Sequence, residues 1–277
     1  FSIVGGGKGA NQALAAARAG GTVTFLARVG DDDFGRRALA DLGAAGVATA
    51  PCRVDDTAPS GVAQILVDEH GENCIAVAPG ANARLDPGDL DAAAAHFAAG
   101  NLVLLQLETP LDTVRAALAR ARAAGCTTVL NPAPARSLPA ALLALVDLLT
   151  PNESEAERLT GIAVTDDASA AAAAGALHRQ GVRTVLLTRG SRGVFLSRAG
   201  DREAGQQAFA AHAVQAVDST AAGDVFNGCL VTALAEGVPL APAVRFAQAG
   251  AALSVQRAGA QSSIPDRAAI EAFLAAH

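Results

Sequence analysis

Residues 218–224, with the sequence Asp-Ser-Thr-Ala-Ala-Gly-Asp, combine a carboxylate with a turn of small residues. Small side chains let such a turn close tightly around a ligand and leave its backbone N–H groups exposed. The apolar run at 225–235 predicts a helix, so the turn lies at a helix N-terminus, which favours an anion. Asp224 is then a candidate general base beside an anion hole, as transfer of a phosphoryl group to a hydroxyl requires. An acidic N-cap after a small-residue turn is the alternative interpretation.

A glycine-rich stretch at residues 5–10 is a second candidate site. Its glycines fit the spacing G-x-G-x-x-A, and acidic residues follow at 31–33, which is typical of dinucleotide binding. The stretch is not a P-loop, because no Ser or Thr follows Lys8. A single match of this kind has low specificity, and a flexible turn before a helix is the other interpretation.

The elements that must position these residues alternate between strands and helices, which predicts an α/β fold with a mostly parallel sheet. The predicted strands are 22–29, 102–107, 127–130, 146–150 and 184–188. The predicted helices are 12–19, 33–45, 87–99, 111–124, 166–180, 223–235, 241–256 and 265–276. Apolar runs at 61–67 and 74–78 flank His-Gly-Glu-Asn at 70–73 and predict a hairpin. Residues 193–197 and 208–217 predict an antiparallel edge.

Composition excludes several classes of protein. The chain has 277 residues, enough for one large domain with a sizeable core. The net charge of −6 argues against a nucleic-acid or anionic-membrane surface. No apolar run is long enough to span a bilayer, and no signal peptide is evident. Four cysteines are scattered singly, which indicates reduced thiols. We therefore expect a cytoplasmic protein with no nucleic-acid or membrane partner.

Several motifs occur in an order that resembles the ribokinase, or PfkB, family of sugar kinases. Its first signature is similar to residues 6–13 (Gly-Gly-Lys-Gly-Ala-Asn-Gln-Ala), and its second is similar to residues 218–224. Matching pieces lie at 131–135, 150–153, 188–193 and 259–261, so the resemblance covers nearly the whole chain. It implies a three-layer sandwich, with a mostly parallel central sheet flanked by helices, plus a small β lid. The implied single domain spans 1–277, with lid strands within 1–7 and 61–79.

The activity that this resemblance implies is ATP-dependent phosphorylation of D-ribose at the 5-hydroxyl, giving ribose 5-phosphate and ADP. Another sugar kinase, acting on deoxyribose, fructose or 2-keto-3-deoxygluconate, is the nearest alternative. A catalytically weak sugar- or nucleotide-binding protein is an alternative of another class. A dinucleotide-dependent oxidoreductase is a distant third.

The resemblance also implies roles for individual residues. Asp224 is the catalytic base, and the anion hole comprises Ala221, Ala222 and Gly223. The sugar site comprises Gly7, Lys8, Gly9, Ala10, Asn11 and Glu108, together with Asp224. The ATP site comprises Asn152, Thr188, Arg189, Gly190, Ser191, Arg192, Gly193 and Gln248, together with Gly223 and Asp224. Gln248 departs from the family, which often has His near the adenine.

Two metal ions and a dimer are further implications of the resemblance. Mg²⁺ accompanies ATP, with Glu153 close to a magnesium-bound water. K⁺ is the activating cation. It is held, largely through backbone carbonyls, at Asp218, Thr220, Ser254, Arg257, Gly259 and Ser263. A homodimer forms through the β lid. The opening strand of the family fold, which normally supplies an Asn and an Asp to the sugar, has no counterpart in this sequence.

Overall fold

The computed structural model describes residues 3–67, 73–200 and 205–277. Its α-helices are α1 (Lys8–Arg18), α2 (Asp33–Ala44), α3 (Leu111–Ala123), α4 (Ala140–Leu143), α5 (Glu153–Thr160), α6 (Asp167–Arg179), α7 (Ala222–Ala235), α8 (Leu240–Ser254) and α9 (Arg267–Ala276). Its strands are β1 (Arg28–Gly30), β2 (Arg53–Asp55), β3 (Val62–Val67), β4 (Asn73–Ala78), β5 (Leu102–Leu105), β6 (Thr127–Leu130), β7 (Leu148–Leu149), β8 (Thr184–Thr188), β9 (Val194–Arg198) and β10 (Gln206–Phe209). Short 3-10 helices occupy Gly80–Arg84, Pro87–His96, Gly190–Arg192 and Gln261–Ser263.

The central sheet has the strand order β10-β9-β8-β7-β6-β5. Strands β5 to β8 run parallel to one another, whereas β9 and β10 add to the edge in antiparallel register. Helices connect the parallel strands, because a parallel crossover needs a long connection. The predicted mostly parallel sheet and its antiparallel edge are therefore confirmed.

Helices cover both faces of this sheet, because successive strand residues point to opposite sides. In β7, Leu148 joins a core formed with α1, α7, α8 and α9, whereas Leu149 joins a core formed with α3, α5 and α6. Leu186 and Leu187 of β8 divide in the same way. The two cores on opposite faces confirm the predicted α/β sandwich.

The strand predicted at 22–29 is mostly absent. β1 begins only at Arg28 and pairs in parallel with β2, and one isolated bridge joins Thr24 to Ala48. Residues 23–27 are half-buried rather than buried. Within the described residues this segment has ladder partners on one side alone, so local β propensity does not extend the strand.

The lid is a hairpin of β3 and β4, in which Val62 lies opposite Ala78 and Ala63 opposite Val77. The hairpin prediction is confirmed, although its turn at 70–72 lies outside the described residues. Residues 3–7 form no strand, so the prediction of a lid strand within 1–7 is wrong for the part of that segment that the structure describes. Their glycines disfavour an ordered strand.

Three other predicted elements differ from the structure. Residues 87–96 form a 3-10 helix, whose first turn is tightened by the reciprocal capping of Asp86 and Asp89. The strand predicted at 208–217 is shorter, because β10 ends where Phe209 pairs with Val194, the first residue of β9. β7 has two residues instead of the five predicted.

A buried ion-pair cluster joins the two-stranded sheet of β1 and β2 to the 3-10 helix at 87–96. Arg28 is 9% exposed, and its guanidinium group lies 2.9 Å from Asp55 of β2 and 3.2 Å from Asp89 of the 3-10 helix. Hydrogen bonds from Thr57 lower the pKa of Asp55, so this carboxyl stays ionised beside Arg28. The cluster thereby connects β1, β2 and the segment that follows the lid.

Candidate active site

The parallel strands end at one edge of the central sheet, and polar residues gather there, as is usual for ligand sites in α/β proteins. Gln106 and Glu108 follow β5, Asn131 follows β6 and Asn152 follows β7. Thr188 ends β8 and forms a bridge with Asn152. The edge therefore brings together side chains from four separate strands.

Helices α1 and α7 cross at close range beside this edge. A Cβ atom at Gly228 of α7 would lie 2.6 Å from the Cβ of Ala15 and from the carbonyl oxygen of Gln12. Glycine is therefore required for the observed approach of the two helices. The crossing places the first residues of α7 against Asn11 and Gln12 of α1.

Asp224 lies in the first turn of α7 and is 5% exposed. Its Oδ2 accepts a hydrogen bond from Nδ2 of Asn11 at 2.9 Å, and its Oδ1 accepts one from Nε2 of Gln12 at 2.9 Å. Burial raises the pKa of Asp224, whereas the Asn11 hydrogen bond and the charge of Lys8 lower it. An oriented carboxylate with a raised pKa suits the role of general base.

The turn before Asp224 has an unusual backbone. Ala221 is the N-cap of α7 and has a φ of 62°, a left-handed conformation that is uncommon for a residue with a Cβ. The N–H of Ala222 donates to Ser219 at 3.2 Å and is therefore already bonded. Among the described residues, no acceptor is in hydrogen-bond contact with the N–H groups of Ala221, Gly223 and Asp224. Those three groups can serve an anion.

Open space lies next to Gly223. A Cβ atom built at this residue meets no other atom within 4 Å. The protein outside the neighbouring residues and the backbone of α7 therefore places no steric demand on this position.

The glycine-rich stretch runs into α1: Gly5 to Gly7 precede the helix and Lys8 to Asn11 form its first turn, so α1 begins four residues before the predicted start at residue 12. Gly7 has a φ of 92°, and the N–H of Lys8 donates to Oε2 of Glu108 at 2.8 Å. Glu108 thus accepts from the free N-terminal amide of α1 and ties this loop to the strand end at β5. Asn11 is 5% exposed, and its Oδ1 has no partner among the described residues. A sugar hydroxyl could supply the missing donor.

Asn152 is the N-cap of α5 and forms a capping box with Glu155. Its Oδ1 accepts from the N–H of Glu155 at 2.8 Å, and its own N–H donates to Oε2 of Glu155 at 2.8 Å. The bridge to Thr188 holds two predicted nucleotide residues side by side. A cavity of about 460 Å³ beside α5 is lined by both residues and by Gly190.

The two arginines of the predicted ATP loop are engaged with the protein. Arg189 is buried, pairs with Asp167 and lies over the ring of Phe195. Arg192 pairs with Glu153 and donates to the carbonyl oxygen of Thr165.

Glu155 is a site residue that sequence reasoning missed. It is 6% exposed, and its burial raises the pKa of the carboxyl, with the charge of Lys8 lowering it and that of Asp224 raising it. The Glu155 carboxylate accepts from the N–H and from Nδ2 of Asn152, whereas Glu153 pairs with Arg192. The spacing Asn-x-x-Glu of a capping box was the available signal.

The predicted cation residues come from two segments that the structure joins. Asp218 accepts from the N–H of Thr220 and from the N–H of Gly259, each at 2.8 Å. Hydrogen bonding by Thr220 and then by Gly259 lowers the pKa of Asp218. Ser254 donates to Ala251, and Ser263, which is buried, donates to Ala260, so these hydroxyls are satisfied within the protein. The N–H of Arg257 donates to the carbonyl oxygen of Ser254.

Gln248 bonds the segment that packs against Gly193 of the predicted ATP loop, since a Cβ atom at Gly193 would meet the backbone of Phe209 and Ala210. It is 8% exposed, and its Nε2 donates to the carbonyl oxygen of Ala210 at 3.2 Å. It therefore fixes the chain just after β10.

Across residues 3–67, 73–200 and 205–277, no helix has the length and apolar character to cross a membrane. The same residues contain no cluster of three or more His, Cys, Asp or Glu side chains suited to a metal.

Comparison with known proteins identifies the family. The model of the pfkB family carbohydrate kinases matches residues 1–267. The ribokinase of Haemophilus influenzae is 44% identical over 274 residues, which are 99% of this chain and 88% of that protein. The deoxyribokinase of Salmonella typhimurium is 38% identical over 96% of this chain and 86% of that protein.

A solved structure has the same fold. The structure of Arabidopsis thaliana ribokinase complexed with ribose and ATP has a TM-score of 0.90 and 33% identity, over 97% of this chain and 87% of that chain. Fold and motif order agree with the family match. The chain belongs to the pfkB family of carbohydrate kinases.

Proposed function

We propose that the protein transfers the γ-phosphoryl group of ATP to the 5-hydroxyl of D-ribose, giving D-ribose 5-phosphate and ADP. The observation that carries this proposal is the buried Asp224 carboxylate beside the open anion turn at Gly223. The relatives support the substrates, since that of H. influenzae is a ribokinase and the Arabidopsis structure contains ribose and ATP.

The sugar binds through Gly7 and the first turn of α1, which comprises Lys8, Gly9, Ala10 and Asn11, together with Glu108. The free Oδ1 of Asn11 accepts from one hydroxyl. Asp224 takes the proton of the 5-hydroxyl as that oxygen attacks the γ-phosphorus. A new bond forms between the 5-oxygen and phosphorus, the bond to the bridging oxygen breaks, and its electron pair leaves with ADP.

The anion turn stabilises the charge that develops during transfer. The N–H groups of Ala221, Gly223 and Asp224 point to the phosphoryl oxygens, and the N-terminal end of α7 adds its dipole. Ala222 contributes its small side chain to the turn but no hydrogen-bond donor to the phosphoryl group, because its N–H is bonded to Ser219. On the nucleotide side, Asn152, Thr188 and the loop from Arg189 to Gly193 contact ATP, and Gln248 lies near the adenine.

The carboxylates present fit a Mg²⁺ ion that is held chiefly by ATP phosphates. The charge of Asp224 raises the pKa of the buried Glu155 carboxyl, and Mg²⁺ commonly keeps several waters and takes few direct carboxylates. Glu155 would hold such waters, and Glu153, which the sequence predicts for this role, is the alternative. When bound, the ion neutralises charge on the phosphates.

K⁺ activation is part of the proposal. Asp218, Thr220 and Gly259 are joined by hydrogen bonds just before the anion turn, so a cation held there would order the turn without contacting substrate. Ser254, Arg257 and Ser263 complete the proposed cation positions. Activity with and without K⁺ at constant ionic strength, with Na⁺ as the matched salt, tests this assignment.

ADP release from ATP and Mg²⁺, with and without D-ribose, tests the function. We expect ribose-dependent turnover, and a fall of about 10²–10⁴ in rate for Asp224→Asn with ATP affinity retained. Turnover should also fall as the pH drops through the pKa of Asp224, because the base must be ionised and burial raises that pKa. Full turnover by Asp224→Asn would rule the assignment out.

Deoxyribose is the second candidate substrate, because the Salmonella relative is a deoxyribokinase at 38% identity. Parallel measurements with ribose, deoxyribose, fructose and 2-keto-3-deoxygluconate decide between them by the ratio of kcat/KM. Tight sugar or ATP binding without turnover on any of these sugars would favour a binding role.

The reaction uses ATP, and Cys52, Cys126 and Cys229 are free thiols, so we place it in the cytoplasm.

We also propose a homodimer that forms through the lid. β3 and β4 form a sheet of two strands, with Val62 39% exposed and Val77 69% exposed on opposite faces. A two-stranded hairpin is marginal alone, and a second subunit would cover one of its faces. Sedimentation should give a dimer that Val77→Lys weakens, whereas Val217→Lys, at an equally exposed valine, should not. A monomeric native chain would disprove it.

A further inference from the structure

Gln12 is a buried amide next to the proposed sugar ligand Asn11. It is 1% exposed, and all of its amide atoms have partners. Nε2 donates to Oδ1 of Asp224 at 2.9 Å and to Oδ1 of Asn131 at 3.1 Å, while Oε1 accepts from Gln106. A buried side chain with every hydrogen bond made has a single orientation.

The hydrogen bonds continue from Asn131 around the site. Nδ2 of Asn131 donates to the carbonyl oxygen of Thr150 at 3.0 Å, and Oγ1 of Thr150 donates to Oδ1 of Asn227 at 2.7 Å. Nδ2 of Asn227 then donates to the carbonyl oxygen of Gly223 at 2.8 Å. Because Gly223 is bonded covalently to Asp224, these contacts close a ring, which we call the amide ring.

Chemistry determines the direction of every bond in the amide ring. The ionised Asp224 carboxylate accepts only, so Gln12 must present its nitrogen. The carbonyl oxygens of Thr150 and Gly223 also accept only, so Asn131 and Asn227 must direct their side-chain nitrogens toward them. Reversing any one amide would leave buried groups unpaired, which is costly in a low-dielectric interior.

Building on the proposed function, we propose that Gln12 is a positioning residue for phosphoryl transfer. Through the amide ring it holds the Asp224 carboxylate and the anion turn at Gly223 in one relative arrangement, and it contacts neither substrate. The ring spans α1, two strand ends and α7, so it couples the sugar side of the site to the nucleotide side. Asn131, Thr150 and Asn227 support it.

Two substitutions of Gln12 test this role. Gln12→Met keeps the volume and removes both donors, and Gln12→Glu keeps the shape but sets a second carboxyl against Asp224. We expect kcat to fall by at least about tenfold in both, because a small displacement of a reacting group is costly. KM for sugar and for ATP should stay within about threefold of the native value, since substrate contacts are retained.

The pH profile separates positioning from a structural effect. Two adjacent carboxyls cannot both ionise readily, so Gln12→Glu should move the acid limb of kcat/KM upward by about one pH unit or more. The other charged groups that face Asp224 are Lys8 from α1 and Glu155 from α5, and both are unchanged in the variant. Gln207→Glu on the exposed face of β10 is the matched control and should leave the profile unchanged.

A double-mutant cycle tests the amide ring itself. Asn227→Leu breaks the ring at its far side without touching the Asp224 carboxylate. If the ring acts as a unit, the double variant Gln12→Met with Asn227→Leu should lose little more kcat than the worse single variant. Independent, multiplicative losses would overturn the ring. Thermal unfolding of each variant shows whether it is folded at the assay temperature.

A readout without turnover keeps this inference separate from the proposed function. The pKa of the Asp224 carboxyl, followed by ¹³C NMR and assigned with Asp224→Asn, should rise in Gln12→Met because a donor to its ionised form is lost. An unchanged carboxyl pKa in both Gln12 variants, or native kcat and pH profile, would overturn the inference. Absence of turnover in the native protein would count against the proposed function alone.

Discussion

Ala221 and Gly223 show how backbone geometry at single residues prepares this site. Ala221 adopts a left-handed φ of 62° at the N-cap of α7, a conformation that costs of the order of 1 kcal/mol for a residue with a Cβ. That conformation accompanies the turn in which three N–H groups are left for an anion. Sterically strained backbone at a candidate active site fits a role in pre-organisation.

Gly223→Ala should separate activity from stability. The new Cβ meets no protein atom within 4 Å, and alanine favours a helix by about 0.5–1 kcal/mol over glycine. We therefore expect an unchanged or higher unfolding midpoint, together with a fall of about tenfold or more in kcat as the methyl group occupies the phosphoryl space. Calorimetry and initial rates check both parts.

Gly175→Ala in α6 is the matched control for that substitution. Its new Cβ would lie 3.8 Å from the guanidinium of Arg179 and would meet no closer atom, and α6 packs in a different core from α7. It should gain similar stability with native kcat. Equal kcat in the two variants would contradict an anion-binding role for the turn at Gly223.

At the scale of elements, the crossing of α1 and α7 determines the geometry of the site. Gly228→Ala would place a methyl group 2.6 Å from Ala15 and from the backbone of Gln12, so the helices must separate. We expect a loss of about 1–3 kcal/mol in the free energy of unfolding. We also expect a lower kcat, because Asn11 and Gln12 move away from Asp224. Urea titration and steady-state kinetics test this, and a stable, fully active variant would argue against it.

Strand lengths show where sequence reasoning is weak. The central strands β6 and β8 have the bounds that apolar β-branched runs predict, whereas β7, which is paired on both sides as they are, has two of its five predicted residues. The segment at 22–29 has an equally apolar sequence but forms only β1 and an isolated bridge. Pairing partners, which lie far away in sequence, decide how much of an apolar run becomes strand.

At the scale of the whole molecule, the Arg28 cluster holds the sheet of β1 and β2 to the 3-10 helix at 87–96. Arg28→Met leaves the buried Asp89 carboxylate without one of its cationic partners, and we expect a loss of about 3 kcal/mol in the free energy of unfolding. Arg37→Met is the control, because Arg37 is exposed and its pair with Asp41 at 3.6 Å contributes at most about 0.5 kcal/mol. Equal unfolding midpoints for the two variants would show that the cluster contributes no net stability.

The sequence alone determined the fold class, the order of the motifs and the identity of the proposed base. Helix and strand periodicity, small-residue turns and N-terminal carboxylates act over a few neighbouring residues, so they can be recognised in the chain itself. Asp224 at the start of α7 was predictable in this way, whereas the helix predicted from residue 12 missed the first turn of α1, Lys8 to Asn11.

Only the tertiary structure decided which groups hold Asp224. Gln12 is 212 residues away from it in sequence, and Asn11, the other donor to its carboxylate, is 213 residues away. Helix crossing at Gly228 and the common edge of the parallel strands bring these groups together. Hydrogen-bond partners, burial and pKa depend on such long-range packing, and for that reason no local pattern predicts them.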